Sequence, residues 1–273
     1  MTHQDYRLIW FQHFHKAGGT SIVNLAIENG ETLYPKHRNG NPAMPSGKPI
    51  RPWQFSDREL TDFIDDCERQ GVTFVATEWR LPNPTILAND PRVKLVTCLR
   101  DPLRRFVSNF YYDLYYGSTQ ARDLASYVGS KGEFSMFNYY CRILAQHNRA
   151  ALEVSAEEFQ AAQRVLEQFD CTVILENGFE SLGNALGWAR VENIKINSVS
   201  RFDFRQIHHV SRKRRKRWRA VLARLTRPKK KPDPAFIEYF NQHNAWDIKL
   251  YTEVKQRAAL GANSVNQAIV RDT

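Results

Sequence analysis

The chain has 273 residues, 42% of them hydrophobic and 12% aromatic, which is enough to build a sizeable core and excludes a disordered chain. No apolar run approaches the roughly 20 residues of a membrane-crossing helix, and the start, MTHQDYRLIWF, enters a strand-like run at once, leaving no room for a signal peptide. The net charge of +10 is local: residues 201–231 hold 14 Lys or Arg and one acid, Asp203, so they carry +13 and the rest about −3.

In chain order, 6–14 reads as a buried strand and 20–29 as the helix that follows it. Residues 30–55 contain Pro35, Pro42, Pro45, Pro49 and Pro52 and read as a long loop. Ser56 with Glu59 makes a capping box that opens a helix to about Gln70. VTFVAT (72–77) and VKLVTCL (93–99) are strands. Pro102 suits the first turn of a helix carrying LRRFVSNFYYDLYY. Helices follow over 134–147 and, capped by Ser155 and Glu158, over 156–169. CTVILE (171–176) is a fourth strand, and 179–188 is a short helix. The end is mostly helical, with a frayed tail over 261–273. Strands alternating with helices predict an α/β fold: a P-loop-like parallel sheet flanked by helices in one domain, 1–260, with a basic insertion at about 205–232. Cys67, Cys98, Cys141 and Cys171 are far apart and form no metal-binding pair, so reduced thiols and a cytoplasmic protein are expected.

Two stretches carry chemistry. FHKAGGTS (14–21) follows the first strand. Gly18 and Gly19 let main-chain N–H groups approach an anion, the helix start adds its positive end, Lys16 adds a full charge, and Thr20 and Ser21 add hydroxyls. An ordinary glycine-rich turn is the plain alternative. A Walker A loop has its lysine after the glycines; here it precedes them, which disfavours a kinase or ATPase. The second stretch is TCLRDPLRRFVSNFYY (97–112). Arg100 ends a strand where α/β sheets bind ligands, and Ser108 on the second helical turn can reach the same volume, so the pair can hold a phosphate. The plain alternative pairs Arg100 with Asp101.

Taken together, HFHKAGGTS and LRDPLRRFVSNFYY resemble the sulfotransferases that use 3′-phosphoadenosine-5′-phosphosulfate (PAPS), in particular the carbohydrate branch with the heparan and chondroitin sulfate O-sulfotransferases. The motifs of that family read like H-I-P-K-T-G-G-T-S and R-D-P-x-x-R-x-x-S. The resemblance continues through FNYYCRIL (137–144), 169–188 and FNQHNAWDIKLY (240–251). It implies that Lys16 contacts the 5′-phosphosulfate, that Ala17, Gly18, Gly19, Thr20 and Ser21 wrap that phosphate, and that Arg100 and Ser108 bind the 3′-phosphate. His15 departs from the family's proline and Ala17 from its usual threonine. The implied reaction moves a sulfuryl group to a hydroxyl, expected on a glycan or glycoconjugate, with PAPS as co-substrate and no metal. Lys16 would stabilise charge on the leaving oxygen.

A base must take the acceptor's proton. Glu78, just after the second strand, is the first choice, with a salt bridge to Arg80 as its plain alternative; His13 and His15 are rivals, and His13 matches the family's motif histidine. Asn138 and Arg142 share a helix face and are weaker substrate-binding candidates, helix packing being the commoner use. The aromatic cluster Phe110, Tyr111, Tyr112, Tyr115 and Tyr116 is read as core with a few sugar-facing rings. The basic stretch from Arg212 to Lys231 suits an acidic glycan or an acidic membrane surface better than nucleic acid. The rival readings are an ATP-dependent small-molecule kinase with an atypical loop and a non-catalytic polyanion- or membrane-binding protein.

Overall fold

The computed structural model describes residues 6–146, 153–191, 226 and 228–271, with side chains as far as Leu260. Four strands form one parallel sheet: β1 (Leu8–Gln12), β4 (Phe74–Thr77), β5 (Val93–Leu99) and β6 (Cys171–Ile174), in the order β4-β1-β5-β6. Trp10 pairs with Val75 on one side and Leu95 on the other, which fixes the central register. Side chains alternate between two faces. Leu8 and Trp10 of β1, with Leu95 and Leu99 of β5, enter one core; Ile9, Phe11, Val96 and Cys98 enter the other. Both faces are therefore buried, as a parallel sheet requires.

Helix α1 (Gly19–Glu28) packs on the second face, and α2 (Asp57–Arg69) on the first. The α2 capping box is present, with Ser56 N–H donating to Glu59 at 2.7 Å. Helix α3 (Pro84–Asn89), which lies between two strands read correctly, has no counterpart in the sequence reading. Helix α4 (Pro102–Tyr115) begins at its proline and, through Phe106 and Phe110, builds a third cluster with Tyr127 and Phe240. Two C-terminal helices, Pro234–His243 and Ala245–Arg271, close the molecule; the backbone of the second runs on through residues read as a frayed tail. All four cysteines are free, and burial pushes the Cys67 thiol up to about 12.

Three further elements differ from expectation. Inside the loop 30–55 lies a hairpin, β2 (His37–Arg38) with β3 (Asn41–Pro42), turning at Asn39-Gly40, both with positive φ. That dipeptide is a strong hairpin signal. The hairpin seats against β4: Gly40 O accepts from Ala76 N–H at 3.0 Å, and a side chain at Gly40 would meet Ala76 Cβ at 3.0 Å. The sheet edge is thereby covered. The helix expected over 134–147 is shortened to α6 (Tyr139–Leu144) after a 3₁₀ turn at Gly132–Ser135, because Asn138 adopts a left-handed conformation (φ 54°). Strand β6 stops at Ile174, where Leu175–Asn177 turns as a 3₁₀ helix.

Candidate functional site

The chain leaves β1 toward β4 and leaves β5 toward β6, so the loops after β1 and β5 diverge at their C-terminal ends. Such a switch point is where open α/β sheets bind ligands. Both sequence motifs arrive there.

The loop after β1 is built around two glycines. Gly18 caps α1 at φ 84°, and a side chain there would meet Leu175 Cδ1 at 2.8 Å. A side chain at Gly19 would lie 1.9 Å from His13 Nε2, so the buried His13 ring rests directly on the first turn of α1. Lys16 also has positive φ (66°), a conformation that a lysine adopts only at a cost and that often marks a functional turn. Among the described residues, no hydrogen bond uses the main-chain N–H of Lys16, Gly18, Gly19 or Thr20, while those of His15 and Ala17 are taken. A row of unpaired donors at a helix start is a nest for an anion. Ala17 and Ser21 are buried; Thr20 is exposed.

The loop after β5 brings Arg100 to the same place. Its guanidinium Nη1 donates to Lys16 O at 3.2 Å, and its main chain is held by Tyr140, whose hydroxyl donates to Arg100 O at 2.8 Å. Arg100 Nε is buried without a partner. A buried cation with an unused donor fits an incoming anion. Burial lowers its proton affinity and Glu176 restores part of it. Asp101 does not pair with Arg100; it caps α4, accepting from Arg104 N–H at 2.8 Å. Ser108 is half-buried on α4, one turn before Tyr112, whose ring lies under Lys16 Nζ at 4.1 Å. Ser108 thus shares the helix face turned toward the loop. Burial, reinforced by Arg100 and Lys229, pushes Lys16 down to about 8 against the pull of Glu78.

Glu78 does not pair with Arg80, which binds Glu133 instead. Its Oε1 lies 2.7 Å from His15 Nδ1 and 3.7 Å from His13 Nδ1, and its main-chain N–H donates to Asn41 Oδ1 of the hairpin at 2.8 Å. Burial raises the Glu78 carboxyl, but His13, His15 and Lys16 outweigh it and hold it down to about 2. Burial pushes His13 down to about 4. From this group an aromatic row runs outward. Trp79, half exposed, packs at 5.3 Å on Phe134, Phe134 at 4.8 Å on His15, and His15 at 5.9 Å on the exposed Tyr112.

Asn138 and Arg142 lie apart from this group, in the helix-packing role given as their commoner use. Asn138 Oδ1 accepts from the N–H groups of Trp246 and Asp247 at 3.1 and 3.2 Å, and its amide donates to His243 O. Arg142 is buried and donates to Phe137 O at 2.8 Å. Asn138 thus joins α6 to the C-terminal helices, while Arg142 ties α6 back to the turn before it. Sequence reasoning missed Asn41 and the Tyr139 and Tyr140 hydroxyls; the Asn39-Gly40 turn signalled the first, and nothing local signalled the others. Most of the basic stretch lies outside the described residues. Its end is seen: Lys230 N–H donates to Tyr111 Oη at 2.7 Å, and Lys229 Nζ lies 5.9 Å from the Tyr111 ring.

Two hollows of about 430 and 290 Å³ lie along the C-terminal helix, lined in part by Lys249 and Arg257, and bring together none of these groups. Convergent charge, not enclosed volume, marks the site. No protein-family model matches the chain, and no curated protein matches it either.

Proposed function

We propose that this protein transfers a sulfuryl group from PAPS to a hydroxyl. One observation carries the reading: Lys16 and Arg100, from loops after different strands, meet beside a row of unpaired main-chain N–H groups, and Arg100 keeps a buried donor unused. The donor molecule has two separate phosphate positions, and the site offers two separate anion seats. The N–H row and Lys16 suit the 5′-phosphosulfate; Arg100 and Ser108 suit the 3′-phosphate. In-line attack on sulfur leaves negative charge on the bridging oxygen, where a fixed ammonium is most useful. Lys16 is aimed by its left-handed backbone and by Tyr112.

The acceptor seat is the aromatic row from Trp79 to Tyr112. Flat exposed rings beside a base suit the apolar face of a sugar, and a glycan hydroxyl is the acceptor we favour. Lys229 and Lys230, anchored on α4 through Tyr111, place the end of the basic stretch next to Lys16, which suits an acidic glycan. Free, largely buried thiols suit a reducing cytoplasm, and the basic stretch suits a peripheral hold on an acidic membrane. Among the described residues no helix is long and apolar enough to cross a membrane.

Incubation with ³⁵S-labelled PAPS and a panel of glycans, lipids and small alcohols tests the reading. Label transfer to a hydroxyl is expected; ATP turnover with no transfer from PAPS would replace it with the kinase reading.

A further inference from the structure

We propose that His15 takes the acceptor's proton through Nε2 and that Glu78 is the residue that positions it. This rests on the sulfuryl-transfer reading. The carboxylate of Glu78 can only accept, so the 2.7 Å contact places a proton on His15 Nδ1 and leaves Nε2 as the basic nitrogen. No hydrogen bond to Nε2 exists among the described residues, and a fifth of the side chain is exposed. The ring is clamped between Phe134 and Tyr112, its main-chain N–H donates to Tyr139 Oη at 3.1 Å, and Lys16 follows it in the chain. Base and leaving-group cation therefore sit on one loop, at the inner end of the aromatic row. The arrangement is a base oriented by a third group, the logic of a catalytic dyad.

The rivals are poorly suited. Glu78 already spends Oε1 on His15, and a carboxylate that stays ionised down to about pH 2 has little affinity for the acceptor's proton. His13 is buried between Phe11 and Gly19 and cannot meet an acceptor. The groups facing His15 are Glu78 at the end of β4, His13 and Lys16 on its own loop, Tyr112 from α4 and Tyr139 from α6; Glu133 is tied to Arg80. In the step, the acceptor oxygen forms its bond to sulfur as its proton passes to Nε2. The bond from sulfur to the bridging oxygen breaks, and its electron pair stays on the 5′-phosphate of the bisphosphate product beside Lys16.

The test compares wild type, His15→Asn and Glu78→Gln. Asparagine keeps a donor in the Nδ1 position and removes Nε2. Release of adenosine 3′,5′-bisphosphate from PAPS, with water or a simple alcohol as acceptor, reads the chemistry; calorimetry with the bisphosphate reads the donor site and the fold. We expect His15→Asn to lose roughly 10²–10⁴ in rate with bisphosphate affinity within about threefold, and His15→Ala to regain part of the rate with added imidazole. Glu78→Gln should lose less, because the basic nitrogen remains and only its orientation is loosened. Ring ¹⁵N NMR should show His15 protonated at Nδ1. Full rate in His15→Asn, a larger loss in Glu78→Gln than in His15→Asn, or a neutral ring with its proton on Nε2 would each overturn the assignment while intact bisphosphate binding left the donor site standing. Failure of the wild type to bind the bisphosphate sinks the transfer reading and this inference with it.

Discussion

Arg100 donates to the main-chain oxygen of Lys16 at 3.2 Å, so one cation of the site holds the backbone that presents the other. The strained turn at Lys16 is stabilised by a residue 84 positions away, from a neighbouring strand. Damage at Arg100 should therefore reach the Lys16 loop as well as its own anion seat.

Arg100→Ala should weaken adenosine 3′,5′-bisphosphate by about 3 kcal/mol, roughly 10²-fold, through lost charged hydrogen bonds. Arg100→Lys should recover only part, since a point charge cannot serve the anion and Lys16 O together. Calorimetry in EDTA reads both values. Equal affinity in wild type and Arg100→Ala would remove Arg100 from the anion site.

Lys16→Met should lower kcat far more than bisphosphate affinity, because its charge matters most as the leaving oxygen becomes negative. With its proton affinity brought down to about 8, free Lys16 loses charge above that pH. kcat/KM should fall there, and a bound anion should restore the proton. Calorimetry above pH 8 in buffers of different ionisation enthalpy should register proton uptake on bisphosphate binding, and none in Lys16→Met.

Acid stability offers an independent check on His13. Its folded value is about 4, below the ordinary 6.5, so between those pH values the unfolded chain binds a proton that the folded chain refuses. Stability should fall as pH drops through that window, by up to about 3 kcal/mol. Urea melts at pH 7 and 4.5 should show the loss, and His13→Gln should flatten it.

Gly19→Ala should be poorly tolerated, since the new Cβ would sit 1.9 Å from the His13 ring. Overpacking of this kind costs about 1–3 kcal/mol. Adding His13→Ala should return much of the lost stability, which a thermal-melt double-mutant cycle would read as strong coupling.

Asn138→Ala should destabilise the fold by about 2–4 kcal/mol, because buried N–H groups of Trp246 and Asp247 lose their acceptor. Bisphosphate affinity of the folded fraction should not change. A selective loss of activity at full stability would return Asn138 to the substrate site.

What could be read from the sequence follows the range of the forces involved. Strand β5 is a seven-residue segment dominated by apolar and β-branched residues, and α2 carries its own capping box, so local pattern located both. The phosphate-type loop was legible because glycines, lysine and hydroxyls are adjacent in sequence. Residue 138 was misread because its left-handed turn is held by partners more than 100 residues away. The partner of Glu78 was not legible for the same reason: His15 is 63 positions distant, and the nearby Arg80, offered as the plain alternative, turns to Glu133. The hairpin failed differently, since its Asn39-Gly40 signal was present but lay among prolines that read as loop.

The exchange between α6 and the last helix also sets an order of events during synthesis. Asn138 holds the N–H groups of Trp246 and Asp247, and Asp247 in turn accepts from the N–H groups of Tyr140 and Cys141 at 3.0 Å each. A nascent chain lacking residues 244–247 has the sheet strands, the Lys16 loop and Arg100, yet nothing to cap the first turn of α6, whose Tyr140 steadies the Arg100 backbone. The anion site is thus completed only after the C-terminal helix has cleared the ribosome. Contacts of such long sequence separation are slow to form, so ribosome-stalled chains ending before Asn244 should expose the first motif to protease, and the full-length chain released from the ribosome should protect it.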